Sequence, residues 1–245
     1  MRDDSGTDKR PAGVDVIAAR ADLRRRAALR AVAAAGAALA GTTLGVSAGA
    51  NETPRCVLTP AQTEGPYFVD ERLQRSDIRG DPADGAARPG ALLALTLRVF
   101  ALDGAACASL AGAIVDLWHC DAAGVYSDVE DMRLATRGAK FLRGYQVTDA
   151  NGRVRFTTIY PGAYPGRAVH IHFKVRTSTS QFTSQLYFDD ALTDRVYAQP
   201  PYIGGRRTRN AQDGLYRAGG SLLMLDVVPA AQGYAAAYDV GIRRA

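Results

Sequence analysis

The sequence predicts an all-β protein: a β-sandwich of mixed sheets with long irregular loops, preceded by a cleaved export signal. Strand-like runs with turn-forming residues between them fill the chain from residue 91 onward, and a helical period is hard to find after residue 50. Many short strands separated by turn signals are typical of a sandwich or barrel. The sequence shows no internal repeat and no low-complexity linker, so we expect a single catalytic or binding domain.

The longest expected strand is Ala91–Phe100. Four of its apolar side chains alternate along the chain and therefore share one face: Leu93, Leu95, Leu97 and Val99. The run 113–119 is rich in β-branched and aromatic residues. Asn151-Gly152, a strong hairpin signal, lies between strands expected at 145–148 and 153–158. The remaining expected strands are 169–177, 183–188, 221–228 and 234–242.

Residues 1–50 have the features of an export signal. Arg25-Arg26 precede an uncharged, Ala/Gly-rich run at 31–50, as in a twin-arginine signal. The run ends in Ala48-Gly49-Ala50, which fits a small-x-small cleavage pattern. The run is long enough for a transmembrane anchor, but Ala, Gly, Ser and Thr partition weakly into lipid. We therefore expect cleavage and export to the periplasm or the extracellular space, with no stable membrane anchor.

The net charge of +5 does not indicate a nucleic-acid partner. Residues 1–50 carry +3, so the chain beyond them carries only about +2. That part is about 195 residues long, enough for one domain with a substantial core. Its breaker-rich start predicts an irregular segment at 51–90 that packs on a sandwich domain at 91–245.

The three cysteines are Cys56, Cys107 and Cys120. An oxidising compartment would allow one disulfide and one free thiol, and the sequence alone leaves the pairing open. A bridge between Cys107 and Cys120 is the least favoured, because an expected strand runs between them and holds them apart. Three unpaired, small hydrophobic side chains are the alternative.

The most informative motif is His170-Ile-His172, which contains two of the three histidines. Residues i and i+2 of a strand point to the same side, so both imidazoles would leave one face and could share a metal ion. The alternative is a strand with two polar residues facing solvent. His119 would complete a three-histidine zinc site, although a histidine at a strand end is more often a surface or hydrogen-bonded residue.

Tyrosines offer a different metal site. Tyr164 lies six residues before His170, and Tyr126 follows a strand that runs into a glycine-containing turn. A phenol with a pKa near ~10 is a poor ligand for most ions, but a hard trivalent cation deprotonates its ligands. Two phenolates with two imidazoles therefore suit ferric iron better than zinc or magnesium. Each tyrosine, taken alone, could equally be a packed aromatic side chain.

From Thr59 to the C-terminus the chain resembles the intradiol ring-cleavage dioxygenases, the catechol and protocatechuate 3,4-dioxygenase group, and in particular secreted single-chain members. Each matching motif is weak alone, but together they occur in family order. The motifs are Leu58-Thr-Pro-Ala-Gln-Thr-Glu-Gly-Pro-Tyr67, Val115-Asp-Leu-Trp-His-Cys-Asp-Ala-Ala-Gly-Val-Tyr126, Phe141-Leu-Arg-Gly144, Tyr164-Pro-Gly-Arg-Ala-Val-His-Ile-His172 and Ser184-Gln-Leu-Tyr-Phe188.

The resemblance implies a ferric iron cofactor, one per chain. Its four ligands would be Tyr126, Tyr164, His170 and His172, with Tyr126 and His170 as the equatorial pair. The resemblance further implies catalytic roles for Tyr164 as a displaceable ligand, for Arg167 beside the bound catechol and for Gln185 behind it. Residues in line with walls of the substrate pocket are Trp118, Gly65 and Pro66.

The implied reaction is cleavage of a catechol-type ring between its two hydroxyl-bearing carbons by O2, which gives a cis,cis-muconate-type diacid. The partners are then a small aromatic diol and O2, and a homo-oligomer is conceivable. The segment between Tyr164 and His170 is shorter than in protocatechuate 3,4-dioxygenases, and Gly166 stands where those enzymes have a tryptophan. These departures predict a more open pocket and argue against protocatechuate itself.

Two other classes fit part of the sequence. Segments 110–116, 148–156 and 161–164 resemble prealbumin-like binding modules, which are non-enzymatic and need no paired histidines. An extradiol-type Fe(II) enzyme would use the two histidines and a carboxylate, for which the nearest candidates are Asp149, Asp189 and Asp190.

Overall fold

The computed structural model describes residues 56–104, 106–130, 135–202 and 207–243, within a compact unit that spans Thr53–Ala245. The predicted export signal at 1–50 and its cleavage site lie outside the described residues. Within the described residues, nine strands form two sheets: β1 Leu92–Asp103, β2 Ala106–Ser109, β3 Ile114–Trp118, β4 Arg143–Val147, β5 Arg153–Ile159, β6 His170–Arg176, β7 Gln181–Tyr187, β8 Asp226–Pro229 and β9 Tyr234–Arg243. Two short α-helices, α1 Asp190–Tyr197 and α2 Gly214–Arg217, and two 3₁₀ turns, Asn210–Gln212 and Gly220–Leu223, lie between β7 and β8.

Sheet A is mixed and contains five strands. Strand β1 is its centre: it pairs in parallel with β9 on one side, and antiparallel with β5 and β2 along the other. Strand β8 closes the far edge as the antiparallel neighbour of β9. Sheet B is antiparallel, with the strand order β4-β3-β6-β7. The prediction of an all-β sandwich is therefore confirmed, and the mixed pairing is confined to sheet A.

The core lies between the two sheets. Sheet A contributes the alternating residues predicted from the sequence, and Leu93, Leu97 and Val99 are completely buried. Sheet B contributes Val115 from β3 together with Ile171 and other apolar residues of β6. Because side chains alternate along a strand, the residues between these point away from the core. On β6 those outward residues include both histidines of the H-x-H motif.

An irregular segment at 56–77, here called the N-terminal strap, covers the outer face of sheet B. It starts at β9, where the Thr59 N–H donates to the Gly241 carbonyl at 2.9 Å, and reaches the free edge of β7, where the Gln62 N–H donates to Thr183 at 3.0 Å. It ends at the opposite edge, where Leu73 accepts from the Tyr145 N–H of β4 at 2.8 Å. The strap thus buries a sheet face that would otherwise be solvated.

Ion pairs attach the strap to that face. Lys174 of β6 pairs with Glu64 and places its ammonium 3.7 Å from the centre of the Phe68 ring. Arg176 bridges Asp116 of β3, at 2.7 Å, and Asp70 of the strap, at 3.0 Å. These side chains are polar although the strap covers them, which explains why β6 is buried on both faces and yet carries charged residues.

A helical period is hard to find after residue 50 because α1, with Asp189 as its N-cap, has only eight residues and is too short to show one. The strand predictions agree with the structure except in two places. Only the end of the predicted strand 221–228 is a strand, since residues 220–223 form a 3₁₀ turn. Strand β2 was not predicted, because its Ala, Cys and Ser residues have little strand preference.

Cys56 and Cys107 form a disulfide that joins the start of the strap to β2. Cys120 is buried and unpaired. This is consistent with the expectation that Cys107 and Cys120 are the pair least able to bridge. Among the helices that the structure describes, none has the length and apolarity needed to cross a membrane.

Candidate active site

The two histidines of β6 meet under the strap. His170 and His172 are each 2% exposed, and their Nε2 atoms lie 3.0 Å apart. The Nδ1 of His170 lies 2.6 Å from the Ala168 carbonyl, which can only accept, so the proton is on Nδ1 and the Nε2 lone pair faces the site. The ring of His172 is stacked on Trp118 with 4.9 Å between centroids and 9° between planes, because the two residues are cross-strand partners on β3 and β6.

Two loops bring the tyrosines to these histidines. Tyr126 lies on the loop after β3, and Tyr164 lies on the loop between β5 and β6. The loops pack backbone to backbone, with the Gly162 N–H donating to the Asp121 carbonyl at 3.0 Å. A Cβ at Gly124 would lie 2.3 Å from the Ala163 oxygen, and one at Gly162 would lie 2.4 Å from the Asp121 oxygen. Glycine is therefore needed on both sides of this contact.

The four rings form a cluster. Tyr126 is 5.6 Å from Tyr164 and 6.3 Å from His172, between ring centroids. Tyr164 is 5.6 Å from His170 by the same measure, and its hydroxyl lies 3.0 Å from His170 Nε2. Two phenol oxygens and two imidazole nitrogens thus converge on one small region from one strand and two loops.

Burial keeps these groups uncharged in the absence of a cation. Removal from water lowers the pKa of His170 to about 3 and holds that of His172 well below its usual value. Burial raises the pKa of Tyr164 to about 12, against the opposing charge of Arg167, and raises the pKa of Tyr126 well above its usual value. The cluster is therefore electron-rich and neutral, and it is suited to accept a positive ion.

Unsatisfied polar atoms concentrate at the same place. Within the described part of the chain, three buried side-chain atoms around the cluster have no hydrogen-bond partner: Trp118 Nε1, Tyr126 Oη and His172 Nδ1. Buried polar atoms normally find partners, so an orphaned hydroxyl at Tyr126 points to a group that would bind there. Over the same described residues no cluster of three or more His, Cys, Asp or Glu side chains could hold a metal. The two tyrosines and two histidines offer phenol oxygens and imidazole nitrogens, and hard oxygen donors of this kind favour a trivalent ion.

Arg167 lies at the edge of the cluster. Its Nη1 is 3.4 Å from both Tyr164 Oη and His170 Nε2, and its Nη2 donates to Gln185 Oε1 at 2.5 Å. Gln185 is fully buried and donates through Nε2 to the Thr63 carbonyl of the strap at 2.8 Å. The sequence-predicted Arg167 and Gln185 therefore contact each other, and Arg167 is the one that reaches the rings.

The strap and the loop before β6 border the open side of the site. A Cβ at Gly65 would lie 3.4 Å from His172 Cε1, so the strap backbone runs directly above that imidazole. Pro66, Pro165 and Gly166 are exposed, and a Cβ at Gly166 would meet nothing within 4 Å. Trp118 is 2% exposed and supports His172 from behind. Its contact with a substrate stays a prediction, as it does for Gly65 and Pro66.

The other sequence candidates lie elsewhere. His119 is buried away from the cluster, with Nδ1 2.8 Å from the Cys120 carbonyl and Nε2 2.6 Å from the Thr158 hydroxyl. The proposed carboxylate ligands are also occupied: Asp149 accepts two backbone N–H groups of the hairpin turn, and Asp189 caps α1. Asp190 pairs with Arg207 at 2.6 Å. A site of two histidines and one of these carboxylates is not formed.

Sequence reasoning missed the contacts of Asp213, Tyr187 and Arg143. Asp213 accepts from Arg167 Nε at 2.9 Å, and the Tyr187 hydroxyl donates to Gln62 Oε1 at 2.8 Å. Arg143 belongs to the motif Phe141–Gly144, for which the sequence predicted no role. It donates to the Tyr67 carbonyl at 2.6 Å and to the Ser127 hydroxyl at 2.7 Å. Arg143 thereby joins the strap to the residue that follows Tyr126. Nothing in the spacing of these residues predicts such contacts.

Comparison with known proteins agrees with this geometry. A family model described as Dioxygenase matches residues 63–212, well over half of the chain. A protocatechuate 3,4-dioxygenase beta chain of Burkholderia cepacia is 37% identical over 102 aligned residues, and the match covers 38% of this chain and 42% of that protein. The curated relatives are thus matched over only about half of their length or less.

Solved structures match over more of their length. An intradiol ring-cleavage dioxygenase from Tetranychus urticae is 32% identical with a TM-score of 0.67, covering 77% of this chain and 95% of that one. The dioxygenase domain of a dioxygenase carbohydrate-binding protein fusion from Streptomyces sp. SirexAA-E is 30% identical with a TM-score of 0.56, covering 77% and 100%. On the family model and these structures, the chain belongs to the intradiol ring-cleavage dioxygenases, a family that is generally iron-dependent.

Proposed function

We propose that this protein cleaves a catechol-type ring between its two hydroxyl-bearing carbons with O2 and releases a cis,cis-muconate-type diacid. The observation that carries the proposal is the convergence of Tyr126, Tyr164, His170 and His172, with Arg167 Nη1 3.4 Å from two of them. Both atoms of O2 enter the product, so no external reductant is needed. Family membership favours this reaction over a non-enzymatic prealbumin-like binding module.

The proposed cofactor is one ferric iron per chain, held by those four side chains. When bound, it would supply Lewis-acid activation of the catechol and would make the two phenols ionise. The buried, unpartnered hydroxyl of Tyr126 supports this assignment, because a bound cation would give that oxygen its missing partner. His170 is already oriented for it, since the Ala168 carbonyl fixes its tautomer.

Tyr164 and Arg167 would handle proton and charge. Tyr164 is only half-buried, and its Oη, once ionised, can take a proton from a catechol hydroxyl. Arg167 remains cationic at any relevant pH and lies beside that oxygen, so its Nη1 would stabilise negative charge that develops on the bound ring. The strap above His172 and the stacked Trp118 below it would restrict where the ring can lie and exclude water from that side.

The proposed substrate is a catechol whose ring is left partly uncovered by the pocket on the side of Pro165 and Gly166. The exposed Pro165 and Gly166, with open space where a larger side chain would project, support an open pocket there. Protocatechuate 3,4-dioxygenases resembled by this chain have a tryptophan at the position of Gly166, so we do not expect protocatechuate to be the preferred substrate.

Export is proposed as well. The disulfide between Cys56 and Cys107 supports it, because disulfides persist mainly in oxidising compartments. The predicted signal at 1–50 remains a prediction, and so does a homo-oligomer.

The decisive experiment combines iron analysis with product analysis. Purified protein reconstituted with ferric iron should bind about one iron per chain and become red-brown through tyrosinate-to-iron charge transfer. Given a panel of catechols under ¹⁸O₂, it should form diacids that carry both labelled atoms. A protein that stays colourless and cannot be reconstituted with iron would favour the non-enzymatic, prealbumin-like binding module. Ring cleavage next to the diol, rather than within it, would indicate extradiol chemistry.

A further inference from the structure

Asp213 is a buried carboxylate that the ligand set and the proposed catalytic residues leave unexplained. It is 1% exposed, and it lies 46 residues after Arg167, between the 3₁₀ turn Asn210–Gln212 and helix α2. Its Oδ2 accepts from Arg167 Nε at 2.9 Å and from the Ala168 N–H at 2.9 Å. Its Oδ1 accepts from the Leu215 N–H at 2.8 Å, so the same side chain caps α2.

The contacts of Arg167 divide its guanidinium into an anchored part and a free edge. Asp213 takes Nε, and Gln185 takes Nη2 at 2.5 Å. Nη2 also lies 3.4 Å from the Tyr187 hydroxyl, which is itself held by Gln62. A guanidinium is a rigid planar fork, so fixing two of its nitrogens fixes the third. The remaining nitrogen, Nη1, is the one that faces Tyr164 and His170.

Asp213 also holds the backbone from which the Arg167 side chain projects. By accepting from the N–H of Ala168, it holds the backbone directly after Arg167 and two residues before His170. Burial works against ionisation of this carboxyl, yet the N–H of Ala168 and the charge of Arg167 keep the pKa of Asp213 below its usual value. The carboxylate is therefore charged when Arg167 is charged, and the pair is a buried, hydrogen-bonded ion pair.

We propose that Asp213 is a positioning residue for the ring-cleavage reaction: it holds Arg167 so that Nη1 is directed at the catechol oxygens before the substrate arrives. This inference rests on the proposed function of the site. Preorganised charge contributes most when it is fixed before the reaction, and small displacements of a catalytic group are costly. A role confined to capping α2 and holding the loop is the alternative that the experiment has to separate.

The central variant is Asp213→Asn, because asparagine caps a helix about as well as aspartate but lacks the charge and one of the acceptor atoms. The matched control is Asp189→Asn at the N-cap of α1, an exposed aspartate with no contact to Arg167. Iron content and the tyrosinate absorption should be unchanged in both variants. We expect Asp213→Asn to lower kcat by roughly 10- to 100-fold with a much smaller change in KM, whereas the control keeps wild-type kcat. Asp213→Glu, which restores the carboxylate, should recover part of the loss.

A double mutant decides between positioning and general stability. If Asp213 acts through Arg167, then Asp213→Asn should have almost no further effect on kcat in an Arg167→Ala background. Two results would overturn the proposal. One is that Asp213→Asn lowers kcat by the same factor with and without Arg167, and the other is that Asp213→Asn alone keeps kcat within about twofold of wild type.

A second readout needs neither iron nor activity. In the iron-free protein, the Nε–H of Arg167 should give a slowly exchanging NMR signal, which is lost in Asp213→Asn and kept in Asp189→Asn. If this signal behaves as expected while no catechol is cleaved by the wild type, the proposed function fails and the anchoring of Arg167 stands. If the signal exchanges fast in the wild type, the positioning role fails whatever the activity.

Discussion

His170 and His172 present their Nε2 atoms to each other at 3.0 Å, beneath a strap that leaves each side chain 2% exposed. Two neutral imidazoles at this distance satisfy each other when one Nε2 donates its proton and the other accepts it. The Ala168 carbonyl fixes the proton of His170 on Nδ1, so its Nε2 is an acceptor. His172 is then the donor, and its Nδ1 has no partner among the described residues. A cation at the proposed site would take the place of the shared proton.

Tyr126→Phe tests whether Tyr126 is a metal ligand or only a packed aromatic side chain. The ring is stacked on Tyr67 at 4.6 Å and should stay in place, while the hydroxyl that has no partner among the described residues is removed. In the iron-free protein we expect the free energy of unfolding to be unchanged or higher by about 1 kcal/mol, because a buried unsatisfied group is lost. In the iron-loaded protein the charge-transfer band should disappear or shift to the blue.

The control for this variant is Tyr160→Phe. The Tyr160 hydroxyl is also buried but lies 2.7 Å from the Thr193 hydroxyl, so its removal should destabilise the protein by about 1 kcal/mol and leave the colour alone. Urea unfolding and visible absorption measure both effects. An unchanged spectrum in Tyr126→Phe would remove this residue from the metal.

Gly65→Ala and Gly166→Ala form a matched pair for the strap. Both glycines have positive φ, +72° and +83°, so alanine should lower the free energy of unfolding at each position by about 1 kcal/mol. Only the new methyl group at Gly65 contacts His172, at 3.4 Å from Cε1. We therefore expect KM for catechol to rise severalfold in Gly65→Ala and to stay near the wild-type value in Gly166→Ala. Equal KM values would place the substrate away from the strap.

His119 predicts an acid-sensitive component of stability. Burial lowers its pKa to about 4, while the unfolded value is near 6.5. Between those pH values the unfolded chain binds a proton that the folded chain does not, so stability falls as the pH drops through this window. The stability advantage of wild type over His119→Gln should therefore shrink by about 2 kcal/mol between pH 7 and pH 5. Parallel stability curves for the two proteins across that range would contradict a buried, neutral His119.

Removal of the disulfide by substitution tests whether the bridge is needed to keep the strap on the sheet. Cys107→Ser should lower the free energy of unfolding by roughly 2–5 kcal/mol, because the Cys56–Cys107 bridge closes a loop across 51 residues. Local loosening should show as faster hydrogen exchange at the N–H groups of Thr59 and Gln62, which bind β9 and β7. Unfolded under non-reducing conditions, the wild type should show one reactive thiol, and three after reduction. Slow exchange in Cys107→Ser would mean that the backbone pairing alone holds the strap.

The candidate site could be predicted from the sequence to the extent that it depends on local rules. Alternation along a strand places His170 and His172 on one side whatever the rest of the fold does. Arg167 precedes His170 by only three residues, so the short connection keeps it near the two histidines. Tyr126 could be named from the sequence as one candidate ligand, but its place beside the histidines depends on how the loop after β3 packs against Gly162.

Other features were beyond sequence reasoning. Asp213 resembled any other aspartate before a short helix, and its contact with Arg167 exists because it lies beside the residues that lead into the start of β6. The pairing of Cys56 with Cys107 likewise depends on the strap starting beside β2.

By itself, then, the sequence determined the sandwich, the paired histidines and the neighbouring arginine, since periodicity and short spacing fix which side chains share a face. Only the tertiary structure decided what surrounds them: the strap that buries them, the second tyrosine and the carboxylate that anchors the arginine. The physical reason is that these contacts join residues distant along the chain, and which of the many buried polar groups meet is set by how the sheets, loops and strap pack together.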